Sequence, residues 1–413
     1  MKPLHKRIGR QVQKYHSHFT KYLYERDTIF ATLWVFAFII LLGLIPINFY
    51  FLNPLKLALK DFDFNDISYS NLGKNKNIAL DSQVVIVNIG HADREALSLI
   101  IEKTASLEPK MMGLDAVFDE AQDPAQDSLL AQTFRRHPNL VAAAMINWKE
   151  ENDSFYLSRN YFTNHSKRMG YANFDNADLE TTRYFRPLIK NGGKRYQSFA
   201  AALVEGYDTI AYQRLLKRNK NLETINYTRR VSKYHVIDAE TLMMGNVVAS
   251  AIKGKIVLLG YISSNPYDIE DKKFTPMNEK AVGKSVPDMN GTVVHANIIS
   301  MMLENNYIKK LPSWVNWLVA ILICWLHMSF FIRYYLENHI WFHLVAKIAQ
   351  LVSAIFFAYV GMLLFNWYGI KLDMKYSLIV IVMAVDVIYF YEAFAVWMHK
   401  KFNYHTVFHQ KHH

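Results

Sequence analysis

Cysteine is almost missing from this chain of 413 residues: Cys324 stands alone, so no intramolecular disulfide can form and no cysteine-rich zinc site can be built. Charge is scarce as well. Charged residues make up 20% and hydrophobic ones 51%, where an ordinary soluble domain carries roughly 25% charge. A wholly soluble enzyme does not fit that composition. Catalytic signatures are missing too: there is no His-Glu-x-x-His and no Gly-x-Ser-x-Gly. Gly283-Lys284-Ser285 resembles the end of a phosphate loop, but the position that should hold its first glycine is Asn278, so the backbone cradle is not there. Internal repeats and low-complexity tracts are not found. The chain is expected to be no enzyme and to hold no cofactor and no metal.

What is present is apolar and unevenly spread. Four stretches, 29–52, 315–332, 348–367 and 377–397, approach or exceed the run of about 20 apolar residues that crosses a bilayer core. The first lies behind a long basic segment, exceeds the length of a signal-peptide core and lacks a small-residue cleavage site, so it reads as an anchor. Ahead of it stand Lys2, Lys6, Arg7, Arg10, Lys14, Lys21 and Arg26 against Glu25 and Asp27, which places the N-terminus in the cytoplasm. Crossing back gives an inner loop with Arg333 and Lys347, an outer loop with Lys371 and Lys375, and an inner tail with Lys400, Lys401 and Lys411. The expected division is a basic N-tail (1–28), a first span (29–52), a large exported domain (53–312), three spans (313–398) and a short cytoplasmic tail (399–413). Both termini then lie inside and the protein sits in the inner membrane. Segment 53–311 holds 33 Lys+Arg against 30 Asp+Glu, so most of the chain's +11 lies in the membrane and cytoplasmic parts. That excess reads as topology and contact with anionic lipid in the bilayer, with no nucleic-acid partner.

The exported segment alternates strands and helices. Phe62, Phe64 and Ile67 alternate with acids and read as a half-exposed strand. Val84 to Ile89 is a β-branched run of the kind found in buried parallel strands. Asp93 caps a helix to about Leu107, with Leu97, Ile100 and Ile101 inward, and 112–118 is the next strand. A helix over 128–136, a strand over 140–146, hairpins and loops over 148–195, a helix over 198–205, another over 239–251, a buried strand over 255–260 and an amphipathic helix over 293–303 follow. The fold class is α/β, a mixed or mostly parallel sheet with helices on its faces, plus four transmembrane helices, one before the domain and three after it.

These residues resemble a known family. Val84 to Ile89, Gly113-Leu114-Asp115-Ala116-Val117-Phe118, the block 178–187 with Arg183, Lys253 to Gly260, Asp268, Phe274-Thr275-Pro276, Gly291 and Val294-His295-Ala296-Asn297 together are similar to the type-two CHASE domain, the sensory extracellular domain associated with cyclases and histidine kinases. The resemblance implies an extracytoplasmic sensor flanked by one helix before and three after. It also implies a cytoplasmic effector after the last helix, whereas the chain ends at His413, a short stretch beyond Trp397, and no transmitter is expected there. A second departure follows the first strand. Where the family usually has an acidic residue and then a Trp-Pro element, this chain has Gly90-His91-Ala92-Asp93.

Asp115, Asp268, Thr275, His295 and Asn297 are the candidates for a ligand cleft, because ligands of parallel α/β sheets sit beyond the carboxyl ends of strands. The competing reading makes them structural, as loop and helix-start hydrogen bonders. His405, His409, His412 and His413 read as a solvated cationic tail. Asp386 sits mid-helix, where a carboxylate costs about 2.5 to 3.5 kcal/mol on insertion scales, so it should face protein: either His327 of its own bundle or a partner's helix. The expected function is to sense or dock an envelope component, such as a small periplasmic ligand, and to act through a membrane protein partner or a homo-oligomer. A structural scaffold subunit of an envelope complex is the alternative, and an exported hydrolase the third.

Overall fold

The computed structural model describes residues 22–44, 63–72, 78–149, 154–157, 161–162, 165–174, 180–191, 193–263, 265, 267–278, 286–337 and 341–411. The N-tail to residue 21, the end of the first apolar run, Phe62, Asp178, Gly283-Lys284-Ser285, His412 and His413 lie outside them. The chain forms two compact units, one of residues 1–56 with 309–413 and one of residues 57–308.

In the first unit, helix α1 (Arg26–Leu44) is apolar along almost its whole length. The α/β unit follows. It contains β1 (Val84–Asn88), α2 (Arg94–Ala105), β2 (Met111–Leu114), α3 (Pro124–Arg136), β3 (Leu140–Ala144), β4 (Arg168–Tyr171), α4 (Phe199–Tyr207), β5 (His235–Asp238), β6 (Ile256–Gly260) and α5 (Gly291–Leu303). Its six strands run parallel in the order β5-β1-β6-β2-β3-β4. Strand β6 therefore returns between the first two strands of the chain. Short antiparallel hairpins, such as Leu188–Asn191 with Lys194–Gln197, form ladders of their own, and this one packs Ile189 and Tyr196 against Tyr171 of the edge strand.

Both faces of the sheet are covered, which is why its strands read as continuous apolar runs. Val84, Ile86, Val141, Ile256 and Leu258 face α4 and α5, while Val85, Val87, Met112, Leu114, Val257 and Leu259 face α2 and α3. Helix starts are capped by side-chain carboxylates and a hydroxyl: Asp93 accepts from the Ala96 amide at 2.8 Å, Asp123 from Ala125 and Gln126, and Ser198 from Ala201. These bonds satisfy the amides that a helix start leaves open.

Several sequence expectations need correction. The segment expected as a strand near Ile67 is helical instead, over Phe64–Ile67 and then Ser68–Leu72, because Asp63 accepts from the Asn65 amide at 2.9 Å and Arg183 Nε holds Asp66 at 3.1 Å. The helix expected over 239–251 stops at Met243, and a positive φ of 77° at Gly245 turns the chain before a short 3-10 turn at Ala249–Ala251. Helix α5 is not amphipathic: all its residues are buried, since it packs on the sheet and on α4. Strand β4, inside the segment read as hairpins and loops, joins the main sheet at its edge.

The first unit continues with α6 (Ser313–Glu337), α7 (Phe342–Tyr368) and α8 (Lys375–Phe402), each, like α1, long and apolar enough to cross a membrane. Lys347 lies within α7 rather than in a loop. Asp386 does not bond to His327. The His327 Nδ1–H donates to the Ile323 carbonyl at 2.8 Å on its own helix, and Asp386 instead meets Lys347 at 3.2 Å, with about half of each side chain exposed. Of the tail read as solvated, His405 is exposed, but the stretch just after it is docked: Thr406 and Phe408 are buried. Asp27, 2% exposed in the first turn of α1, accepts from the Tyr391 hydroxyl at 2.6 Å, the Thr406 hydroxyl at 3.0 Å and the Val407 amide at 2.7 Å.

Removing the Asp27 carboxylate strands a buried amide and two hydroxyls, each worth about 1–3 kcal/mol when left unsatisfied. Asp27→Ala should therefore free the segment after Phe402, and limited trypsin digestion in mild detergent should cut at Lys400 or Lys401 faster than in the parent. An unchanged cleavage rate would mean that the carboxylate does not hold the tail.

Candidate functional site

The carboxyl ends of β2, β3 and β4 open onto one cavity of about 320 Å³ within the α/β unit. Asp115 follows β2, Met145 follows β3, and Ala172, Asn173 and Phe174 follow β4. The far wall is the start of α5, with Gly291 and His295. Asp271 and Lys273 complete it. They are placed by a two-residue antiparallel ladder in which Lys272 faces Asn290 and Lys273 faces Met289. That ladder brings Asp271 to Gly291, whose amide donates to the Asp271 carbonyl at 2.9 Å and to its Oδ2 at 3.2 Å. A carboxylate is favourable at that helix N-terminus.

The close seating of α5 depends on Gly260, the last residue of β6. A Cβ there would stand 2.1 Å from Thr292 Oγ1. With that space open, the Thr292 hydroxyl donates to Asp115 Oδ2 at 2.7 Å, and the Asp115 amide donates to the Leu259 carbonyl at 2.8 Å. His295 Nε2 then lies 3.9 Å from Asp115 Oδ1. The imidazole stacks on Phe174 with centroids 4.7 Å apart and meets the edge of Phe199 at 5.2 Å. Its Nδ1 is buried without a hydrogen-bond partner.

Burial sets the protonation of this group of side chains. It pushes the Asp115 carboxyl up, against the pull of the Thr292 hydroxyl and Lys273. Asp271 is pushed up to about 6, by desolvation first and by the Asp115 charge second; the residue as a whole is exposed, but its carboxyl packs on Gly291. Burial pushes His295 down to about 4, only partly offset by Asp271 and by a hydrogen bond to the Ala172 backbone. At neutral pH the imidazole is therefore uncharged.

The sequence candidates divide. Asp115 and His295 come together at the cavity. Asp268, Thr275 and Asn297 do not line it. Asp268 is held down to about 2, chiefly by the Tyr261 hydroxyl, and accepts from the Glu270 amide at 3.0 Å. Thr275 donates to Asp288 Oδ2 at 2.6 Å, and its amide donates to Oδ1 at 2.8 Å. Asn297 clamps a neighbouring strand of chain: its oxygen accepts from the Thr228 and Arg229 amides at 3.1 Å, and its nitrogen donates to the Arg229 carbonyl at 2.9 Å. Asp271, Lys273 and Phe174 were not among the sequence candidates. The only signal for the first two was an acid and a lysine in the loop after a buried strand. Among the described residues no group of three or more His, Cys, Asp or Glu is placed to hold a metal ion.

The family model described as the CHASE2 domain matches residues 34–331, well over half of the chain. No curated protein and no solved structure matches the chain.

Two outcomes follow from this geometry. Gly260→Ala should lower the melting temperature, since overpacking of this kind costs about 1–3 kcal/mol, and adding Thr292→Ala should recover part of the loss by removing the nearest atom. No loss in the single variant would mean that α5 is free to shift. Asp271 has a folded value near 6 against an ordinary 3.8, so ionising it costs the folded state, and stability drains away as pH rises from about 4 to about 6. Asp271→Asn should therefore melt higher than the parent at pH 8, with the gain shrinking towards pH 4. A gain that grows on acidification would reverse the assigned sign.

Proposed function

The chain belongs to the CHASE2 domain family, and from that premise we propose that its α/β unit is the exported sensory domain of a multi-pass membrane protein, one that binds a small ligand in the Asp115–His295 cavity and acts through a separate protein. The cavity carries the proposal: it lies where parallel α/β sheets bind ligands, and it gathers two acids, a lysine and an imidazole on one lining. In this reading Asp115, Asp271, Lys273 and His295 touch the ligand, while Asp268, Thr275 and Asn297 hold the surrounding loops.

The cations ahead of α1 and the four candidate spans support a cytoplasmic N-terminus and C-terminus, with residues 53–312 outside the inner membrane. Transmission has a short covalent route. Helix α5 ends at Leu303, and α6 begins at Ser313. The partner is a membrane protein that reads a change in the spans, and the half-exposed Lys347–Asp386 pair on α7 and α8 is a contact suited to it, because an ion pair facing hydrocarbon is costly until covered.

A periplasm-dependent reporter enzyme joined after Asp81 should be active, and the same reporter after Tyr335 or His413 should be silent. Activity after His413 would overturn the four-span arrangement and, with it, the exported placement.

A further inference from the structure

The cavity's own charges indicate what enters it. Two carboxyls, Asp115 and Asp271, share its lining with a single ammonium, Lys273, and an imidazole. Among the described residues no lysine or arginine makes an ion pair with either acid. The described donors to them are the Thr292 hydroxyl on Asp115 and the Gly291 amide on Asp271. His295 supplies no charge, because burial keeps it neutral. The lining is thus short of positive charge in a partly desolvated space, where unpaired carboxylates are costly. Both acids are raised by burial first, and Lys273, which pulls each of them down, does not restore them to the ordinary range.

An anion would worsen the shortage. A neutral polyol would leave it in place. An ammonium group, with three N–H donors, would relieve it, and the two carboxyls of Asp115 and Asp271 both line the space it would enter. Lys273 on the same lining asks for the opposite charge. Val117, Met145 and Phe174 give the lining an apolar side, and Asn173, also on it, commits its amide to the Ile146 backbone at 2.7 and 3.1 Å. At about 320 Å³ the space is at the small end for ligand pockets, which run from about 300 to 1,000 Å³.

We propose that the cavity binds a small zwitterion of the amino-acid type, its ammonium held between Asp115 and Asp271, its carboxylate on Lys273, and a short side chain against Val117, Met145 and Phe174. This rests on the sensory reading of the same cavity and adds the chemistry of its ligand. The Asp115 contact also explains why the Thr292 hydroxyl matters. It occupies Oδ2 and leaves Oδ1, the oxygen nearest His295, for the incoming ammonium.

The test uses the full chain in lipid nanodiscs, with thermal unfolding followed in the presence of each of the twenty L-amino acids, the matching α-keto acids, which lack the ammonium, and the matching amines, which lack the carboxylate. At least one amino acid should raise the melting temperature through binding to the native state, and its keto acid and amine should each bind at least 10-fold more weakly. Asp271→Asn keeps an oxygen for the Gly291 amide and should still fold, yet weaken the amino acid at least 10-fold. Lys273→Gln should weaken it comparably while leaving the amine unchanged. Tight binding of a keto acid or of an amine alone, abolished by the cavity-filling Ala116→Leu, would overturn the zwitterion and keep the sensory cavity. If no compound in the three sets shifts unfolding, the zwitterion proposal fails; if Ala116→Leu then also leaves the melting temperature of the chain in periplasmic extract unchanged relative to the parent, the sensory cavity fails with it.

Discussion

The approach of α5 to the end of β6 is the contact on which the site depends. Strand β6 pairs with both β1 and β2, so its last residue is fixed from two sides. Helix α5 can lie against that residue only because Gly260 carries no side chain: Thr292 occupies the place a Cβ would take. Everything at the cavity follows from that seating. Thr292 reaches Asp115, His295 arrives one turn later between Phe174 and Phe199, and Gly291 receives Asp271.

The same seating explains what could be read from the sequence and what could not. Strands β1 and β6 are buried on both faces, so Val84 to Val87 and Ile256 to Leu259 form apolar runs that identify themselves. Helix α5 is buried on every side and has no polar face, so its pattern carries length but no direction. Asp115 and His295 were legible because each follows directly on a recognisable element, a strand end in one case and a helix start in the other. Asp271 and Lys273 were not. Their positions depend on two backbone pairings to residues 289 and 290, and no local spacing announces a ladder that short. Residues 64–72 misled for a related reason. Alternation of Phe and Asp suggests a strand, but Asp63 uses its carboxylate to start a helix and Asp66 uses its own to hold Arg183. Polar residues that bond to their own backbone compete with the pattern they seem to define.

The membrane-spanning unit places Asp27 and Asp386 in opposite ways. Asp27 is enclosed by hydroxyls and an amide from α8 and the segment after it, and so serves to close the end of the bundle. Asp386 lies on an exposed face with Lys347. Sequence position alone ranked them the other way: Asp27 looked like a minor countercharge among cations, and Asp386 looked like the buried one. Depth along a helix says how costly a carboxylate is, but the face it occupies decides what relieves the cost. For Asp27 that relief comes from within the chain, which makes it structural.

Within the α/β unit the same comparison separates structure from function. Asn297 is a buried polar residue whose oxygen and nitrogen both have good partners, and Thr275 with Asp288 forms a closed pair. Such groups gain from folding and ask nothing further of their surroundings. His295 lies two residues before Asn297 on the same helix and is almost as deeply buried, yet its Nδ1 has no partner and its pKa is displaced towards the neutral form. Asp115 and Asp271 each have one donor, the Thr292 hydroxyl and the Gly291 amide, and both are likewise displaced towards the neutral form by desolvation. In the proposed reading, a ligand that supplies a cation to this second set stabilises the state it binds, and stabilising one state of a domain in this way is the physical requirement for sensing.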